Sequence, residues 1–336
     1  MSRTVVVDAD VLGRRRTGDE RYVANLLREL GRLGSDLRIV ALTRRPGLVP
    51  DGIEPYLLGA RRQELRMAVA VPRALRRLRP DLVHFQHVLP PFHRGPGVVT
   101  VHDLSFARDP SLMSPWDRAV FRTLVPRAVR RAQRVLTVSE RTRRDLEQLY
   151  GVAPAKIVVT PNGVDSRFAP GGERGGYALF VGAIQARKDP LAAADAAGTA
   201  GLRLVVVGPE KDAALARALR ERGAELRGYV DDDELARLYR EAAVLVFPSR
   251  YEGFGLPVVE AMASGTPVVA TDDEAVREVA GDAALYADRA GLGDAVRRAV
   301  AERERLVAAG LQRLERYSWS NTARTTLEVY EDVLRG

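Results

Sequence analysis

Short unbroken apolar runs alternate with amphipathic stretches along nearly all 336 residues of this chain, and few folds can absorb that pattern. In the first half, Val5 to Asp8, Arg38 to Leu42, Asp81 to Phe85, Val98 to His102, Val135 to Val138 and Ile157 to Thr160 read as strands. In the second half, the strands are Ala178 to Val181, Leu202 to Val207, Val244 to Phe247 and Pro267 to Ala270. A strand that is apolar on both faces is covered on both, which is the condition of a parallel sheet between helical layers. The stretches between fit helices. Val23, Leu26, Leu27 and Leu30 fall at i, i+3, i+4 and i+7 within Glu20 to Leu30. Ser139 is placed as an N-cap and Gly151 as the residue that stops the same helix. Asp231-Asp-Asp-Glu234 carries a capping-box pattern.

The run Asp165 to Gly176 is rich in glycine and proline, lacks an apolar period and reads as a linker. The expectation is therefore an α/β chain of two doubly wound, Rossmann-like domains, residues 1–165 and 166–317. Their strands' carboxyl ends are expected to face each other across a cleft. A last helix within 318–336, with no strand after it, is expected to pack back on the first domain. The chain has no cysteine, which excludes a disulfide framework, a thiolate nucleophile and a Cys-based zinc site. No run of about 18 apolar residues exists to span a membrane. The N-terminus passes straight into a strand pattern with no secretory signal, so a cytoplasmic protein is expected.

The net charge of +8 invites a nucleic-acid reading. Only three of the 52 basic residues are lysines, however, and the arginines are interspersed with carboxylates over most helices. No nucleic-acid partner is expected. Two clusters are denser, Arg14-Arg15-Arg16 and the stretch from Arg61 to Arg79. The second encloses Met67-Ala-Val-Ala-Val-Pro72, so a solvated basic face and a peripheral contact with an anionic membrane both stay open.

The most informative segment is Ser249 to Thr271. Glu252 and Glu260 flank the turn Gly253-Phe254-Gly255, and Pro257 suits the first turn of a helix. With the strand Val244 to Phe247 just upstream, strand, glycine turn and helix N-terminus make a cradle for a phosphate. The carboxylates add acceptors for sugar hydroxyls. A nucleotide-sugar site is the first reading. Paired carboxylates also suit a glycoside hydrolase, and each glutamate taken alone could be an ordinary surface acid.

These residues resemble the retaining GT-B glycosyltransferases of family 4. The Glu252 and Glu260 spacing within Glu-Gly-Phe-Gly-Leu-Pro is similar to that family's signature. So are Pro161-Asn-Gly-Val-Asp165, Arg187-Lys188 after Val181-Gly182, and Gly228-Tyr229-Val230. The resemblance implies that Glu260 accepts hydrogen bonds from the ribose. It implies that Glu252 binds hydroxyls of the donor sugar, with Gly253, Phe254, Gly255 and Leu256 around it. Lys188, with Arg187, would hold the diphosphate, and Tyr229 and Val230 would border the base. Lys188, Glu252 and His102 are the residues expected to carry catalysis. The donor implied is a nucleoside-diphosphate sugar, with GDP-mannose first among them, and the acceptor a glycan or lipid-linked glycan. Fixed cations at the leaving diphosphate make a metal unnecessary, and no Asp-x-Asp pair is suitably placed for one.

All four histidines, His84, His87, His93 and His102, lie between residues 84 and 102. His102-Asp103 ends a strand, and in the family a histidine there lies beside the transferred sugar and the acceptor. His84 and His87 lack a third ligand of clear spacing, so no metal is expected. Gly18 and Tyr22 lie in Thr17-Gly-Asp-Glu-Arg-Tyr22, where relatives carry Gly-Ile-Gly. Asp19 and Glu20 disfavour a phosphate in that loop. Gly18, Tyr22, His87, His102 and Asp103 are therefore expected to contact a neutral, sugar-like acceptor. A second departure is Ala183, where some relatives have arginine.

Overall fold

A computed structural model of the chain describes residues 2–14, 17–59, 66–91, 93–108, 115–173 and 175–336. They divide into two compact units, residues 1–163 with 319–336, and residues 164–318. Each unit is built on one parallel sheet.

The first sheet has seven strands. They are β1 (Thr4–Asp8), β2 (Arg38–Thr43), β3 (Glu54–Leu57), β4 (Leu82–Gln86), β5 (Gly97–Val101), β6 (Arg134–Thr137) and β7 (Ile157–Val159). Their spatial order is β3-β2-β1-β4-β5-β6-β7. The strand order reverses between β1 and β4, and ligands of doubly wound sheets bind beside the carboxyl ends of the strands at that point. The helix Thr17–Leu33 begins three residues before its expected start. Val23, Leu26, Leu27 and Leu30 are all buried, as their spacing requires. Ser139 accepts a hydrogen bond from the Thr142 N–H, and Gly151 ends that helix in the left-handed region with φ 63°.

The second sheet has six strands: β8 (Tyr177–Val181), β9 (Arg203–Val207), β10 (Glu225–Gly228), β11 (Val244–Phe247), β12 (Val268–Ala270) and β13 (Ala284–Tyr286). Their order is β10-β9-β8-β11-β12-β13, with the reversal between β8 and β11. Asp231 caps the helix Asp232–Glu241 through the Glu234 N–H at 2.8 Å. The box is only half made, because the Glu234 carboxylate pairs with Arg237. Asp272-Asp273, which reads as a turn, does more than turn the chain. Asp273 is buried and caps the helix Glu274–Ala280 through the N–H groups of Ala275 and Val276.

The last helix, Trp319–Arg335, packs against the helix Thr17–Leu33 in the first unit. Its Tyr330 is fully buried, and the hydroxyl meets His84 Nδ1 at 2.5 Å. Thr322 Oγ1 donates to the Pro161 carbonyl at 2.5 Å. Part of each basic cluster, Arg15, Arg16 and residues 61–65, lies outside the described residues. Beyond that gap, a π-turn at Arg66–Ala70 leads into the helix Val71–Leu78.

Candidate active-site residues in the two units

In the second unit, the site grows from the loops after β8 and β11. The β8 loop closes in a short 3-10 turn, Ala186–Lys188. The β11 loop runs through Ser249, Tyr251 and Glu252, all buried, to Gly255. That glycine, at φ 106°, starts the helix Leu256–Ala263 with Pro257 in its first turn, and no side chain caps it. The helix N-terminus is thus left open to an external acceptor, as anion-binding helices are.

The two loops are tied together. The Arg250 N–H donates to the Arg187 carbonyl at 2.9 Å, and the Arg187 guanidinium donates to the Tyr251 carbonyl at 2.5 Å. Lys188 Nζ donates to Glu252 Oε1, and Arg187 Nη1 stands 3.5 Å from Glu252 Oε2. Burial works to raise the Glu252 carboxyl, but the Lys188 and Arg187 charges outweigh it and hold it below the ordinary carboxylate range. Glu252 is therefore an anion, fixed in turn by its own N–H donating to Asp273 Oδ2 at 3.2 Å. Lys188 also lies over the Phe247 ring at 5.5 Å. The sequence alone did not reveal Asp273 as a support, since an Asp-Asp pair after a strand carries only a turn signal.

Glu260 is buried on the helix Leu256–Ala263 and accepts from the Tyr239 hydroxyl at 3.0 Å. Neither glutamate is a surface acid. Phe254 is buried with its ring edge-on to Tyr317 at 5.6 Å, so the residue offers its backbone and not its side chain. Gly253 and Gly255 are buried beside it and Leu256 is half-buried. Tyr229 is 49% exposed and follows Gly228, which turns at φ 65°. Val230 is half-buried next to it.

In the first unit, the relevant residues gather at the ends of β1, β4 and β5. His102 lies just past β5, and its Nε2–H donates to Gln86 Oε1 at 2.9 Å, which leaves Nδ1 as an acceptor. Desolvation pushes the His102 pKa down to about 4; Asp19 opposes that shift, His87 adds to it and Asp103 opposes it again. The ring of Tyr22 stands edge-on to His102 at 4.7 Å. Tyr22 is fully buried and its hydroxyl meets Thr100 Oγ1 at 3.2 Å. This residue supports His102 from the core, which differs from its expected contact with an acceptor. Asp103 accepts from the Ser105 N–H and hydroxyl, and Gly18 is exposed in the first turn of the helix Thr17–Leu33.

His87 takes a left-handed backbone, φ 58°, which is uncommon for a side-chain residue and marks a constrained position. Its ring is 5.3 Å from that of His102. Among the described residues its buried Nδ1 has no hydrogen-bond partner. Asp19, His87 and His102 place one ligand atom each within 4.8 Å of one another. Asp19 is the member that sequence reading missed, because nothing in a helix's first turn marks which sheet end it will face. His84 does not join this group. It is fully buried between Tyr330 and Thr100 Oγ1, the latter at 2.7 Å, and burial drives its pKa to about 3. His93 is equally structural, its Nε2–H donating to the Pro96 carbonyl at 3.2 Å.

These neutral histidines set an acid limit. Unfolded imidazoles bind a proton near 6.5, whereas His102 and His84 in the fold wait until about 4 and about 3. Between those values the unfolded chain binds more protons, so stability falls as the pH falls. Urea unfolding followed from pH 7 to pH 4 is expected to lose roughly 1 kcal/mol or more per pH unit in that window. A flat profile would mean that neither histidine is buried neutral.

The two parallel sheets with their helices match the fold of GT-B glycosyltransferase structures. Sucrose-phosphate synthase from Thermosynechococcus elongatus is similar with a TM-score of 0.81 at 19% identity, covering 99% of each chain. HepE from Anabaena, solved in complex with UDP and glucose, is similar with a TM-score of 0.76 at 14% identity, covering 98% of this chain and 100% of that one.

The chain belongs to glycosyltransferase family 4: the family described as Glycosyltransferase Family 4 matches residues 16–168, and Glycosyl transferases group 1 matches residues 175–302. The O-antigen chain mannosyltransferase B of Escherichia coli is 30% identical over 328 residues, which cover 88% of this chain and 83% of that protein. The O-antigen chain mannosyltransferase RfbU of Salmonella typhimurium is 34% identical over 197 residues, 56% of this chain and 55% of that one. The protein is a glycosyltransferase. The hydrolase reading is not favoured, since both family matches and the similar curated proteins are glycosyltransferases. Among the described residues, no helix is long and apolar enough to cross a membrane.

Proposed function

We propose that the protein transfers a hexose, mannose first among the candidates, from a nucleoside-diphosphate donor to a hydroxyl of a glycan or lipid-linked glycan, with retention at the anomeric carbon. The reading belongs to polysaccharide synthesis at the cytoplasmic face of a membrane. What carries it is the cluster of Lys188, Arg187 and Glu252 beside the uncapped N-terminus of the helix Leu256–Ala263. The resemblance of this chain to two O-antigen mannosyltransferases supports the choice of sugar.

The leaving diphosphate gains negative charge as its bond to C1 breaks. The Lys188 ammonium, a three-donor cation held in place by Glu252, meets that charge. The helix N-terminus adds backbone N–H groups and a favourable dipole. The acceptor oxygen forms its bond to C1 on the face the phosphate leaves, and its proton passes to that phosphate, so no protein nucleophile is used. Glu260, buried and already oriented by Tyr239, receives the ribose hydroxyls. In the first unit, Asp19, His87 and the acceptor Nδ1 of His102 orient neutral sugar hydroxyls.

Calorimetric titration of Glu260→Ala with nucleotide sugars tests the donor assignment. Losing one hydrogen bond to a charged group costs about 2 kcal/mol, so affinity is expected to fall roughly thirtyfold. Unchanged affinity would remove Glu260 from the ribose. Metal independence has its own test. Dialysis against a chelator is expected to leave the transfer rate unchanged, and a loss that divalent ions restore would reassign Asp19, His87 and His102 as a metal site.

A further inference from the structure

The four histidines of this chain are all among the described residues, and two of them are spent. His84 has a partner on each ring nitrogen, the Tyr330 hydroxyl at Nδ1 and Thr100 Oγ1 at Nε2. His93 donates its Nε2–H to the Pro96 carbonyl. His87 and His102 are different. They stand just past the ends of β4 and β5 with ring centroids 5.3 Å apart, and Asp19 joins them from the first turn of the helix Thr17–Leu33. Each of the three offers one ligand atom, and these atoms lie within 4.8 Å of one another. Among the described residues, no other group of three histidines and carboxylates is so placed.

Three features suit this group to a metal ion. The buried Nδ1 of His87 has no hydrogen-bond partner among the described residues, a state that costs about 1–3 kcal/mol unless an outside group meets it. The Nε2–H of His102 is engaged by Gln86 Oε1 at 2.9 Å. A histidine whose far N–H is held by a carbonyl presents its other nitrogen as a lone pair, the arrangement found behind metal-bound imidazoles. Asp19 forms no ion pair with an arginine or lysine among the described residues, and its charge acts on His102 instead. Zinc holds such nitrogens and oxygens at about 2.0–2.2 Å, so closing on an ion asks under about 1 Å of inward movement from each side chain. Two imidazoles and one carboxylate select zinc and its late first-row neighbours, whereas magnesium prefers oxygens and keeps its waters.

We propose that Asp19, His87 and His102 bind one late first-row divalent cation, zinc above all, and that this ion inhibits transfer by occupying the atoms that orient the acceptor. The ion site rests on the geometry of the first unit alone. The inhibition rests also on the acceptor reading above, in which the same three groups meet sugar hydroxyls. One set of ligand atoms cannot serve both, so zinc and acceptor exclude each other. Transfer needs no metal in that reading, and the ion is an antagonist rather than a cofactor.

The test uses the full chain, stripped with a chelator that is then removed, and zinc chloride as the probe. Calorimetry is expected to show one saturable site for zinc and none for magnesium. Gln86→Leu is expected to weaken zinc about tenfold to a hundredfold, the range for a group that orients a metal-bound histidine. His87→Asn and, separately, Asp19→Asn remove a ligand and are expected to weaken it further. Asparagine tolerates the left-handed backbone of residue 87, at φ 58°, so the turn is kept while the imidazole goes. Cobalt gives a second reading, because its visible absorption strengthens when imidazoles replace water in a site of four or five ligands. The variants are expected to lose that band, and far-UV circular dichroism checks that each is folded. No saturable zinc site, or one equally tight in His87→Asn and Asp19→Asn, overturns the proposal. Magnesium bound as tightly as zinc overturns it too.

Steady-state transfer from GDP-mannose to mannose-terminated oligosaccharides tests the inhibition. Zinc is expected to raise the acceptor KM, to be relieved by excess acceptor, and to act less on His87→Asn. Zinc that fills the site without slowing transfer overturns the exclusion of the acceptor. A rate that falls on chelation and returns with zinc makes the ion a cofactor and overturns the antagonist role. A protein that holds zinc at these residues yet transfers no sugar from any nucleotide donor would sink the glycosyl-transfer reading, and the inhibition with it, while the ion site stands.

Discussion

Lys188→Ala is expected to lower kcat by about a hundredfold to a thousandfold, the range found when one preorganised donor to a developing oxyanion is removed. The reason is the location of the charge. Lys188 is a half-buried ammonium clasped by an anionic Glu252, so it is positioned before the donor arrives and stands in a medium that screens it poorly. Its attraction to the diphosphate grows as the glycosidic bond breaks, so the loss falls on turnover more than on donor affinity. Arg187 remains in the variant and, only 3.5 Å from Glu252, keeps that carboxylate from being left without a cation. Steady-state kinetics with a saturating donor read the effect. An unchanged kcat would remove Lys188 from the chemistry.

Gly208→Ala is expected to destabilise the second unit by about 3 kcal/mol or more, a size reserved for enforced clashes and strained backbone. Gly208 follows β9 at φ 143°, and a Cβ there would lie 2.1 Å from the Gly182 carbonyl oxygen and 2.6 Å from its carbon. Both obstacles are backbone, so no side chain can move aside. The pressure falls on the loop that carries Arg187 and Lys188 into place. Urea unfolding measures the loss, and transfer at a temperature where the variant stays folded is expected to be slowed too. A variant as stable as the parent would show that this loop yields readily.

Apart from the edge strand β7, the strands that sequence reading recovers are those buried in the sheet interiors. β1, β4, β5 and β11 are apolar on both faces because helices cover both, and a continuous apolar run is what that environment selects. The three that it misses are edges. β3 reads Glu-Pro-Tyr-Leu with no residue fully buried, and β10 reads Glu-Leu-Arg-Gly; with one neighbour and an open side, neither needs an apolar signal. At β13 only Ala284 is buried.

The donor-side residues were legible for a different reason. Glycine turn, proline and glutamates are adjacent in the chain, so local geometry alone brings them together. The first-unit residues come from loops that only the sheet order unites. Asp19 meets His87 and His102 because β1 lies between β2 and β4. The same order explains why His84 looked equivalent to His87. Only two residues separate them, but His84 lies inside the strand, sealed under Tyr330, whereas His87 lies past its end.

That seal has a consequence for how the protein is made. Tyr330 is encoded after the whole of the second unit, yet its hydroxyl completes the first. A ribosome therefore releases the second unit's sheet before the first unit has all its parts, and His84 gains its Tyr330 partner last. The first unit is the earlier to emerge and the later to mature.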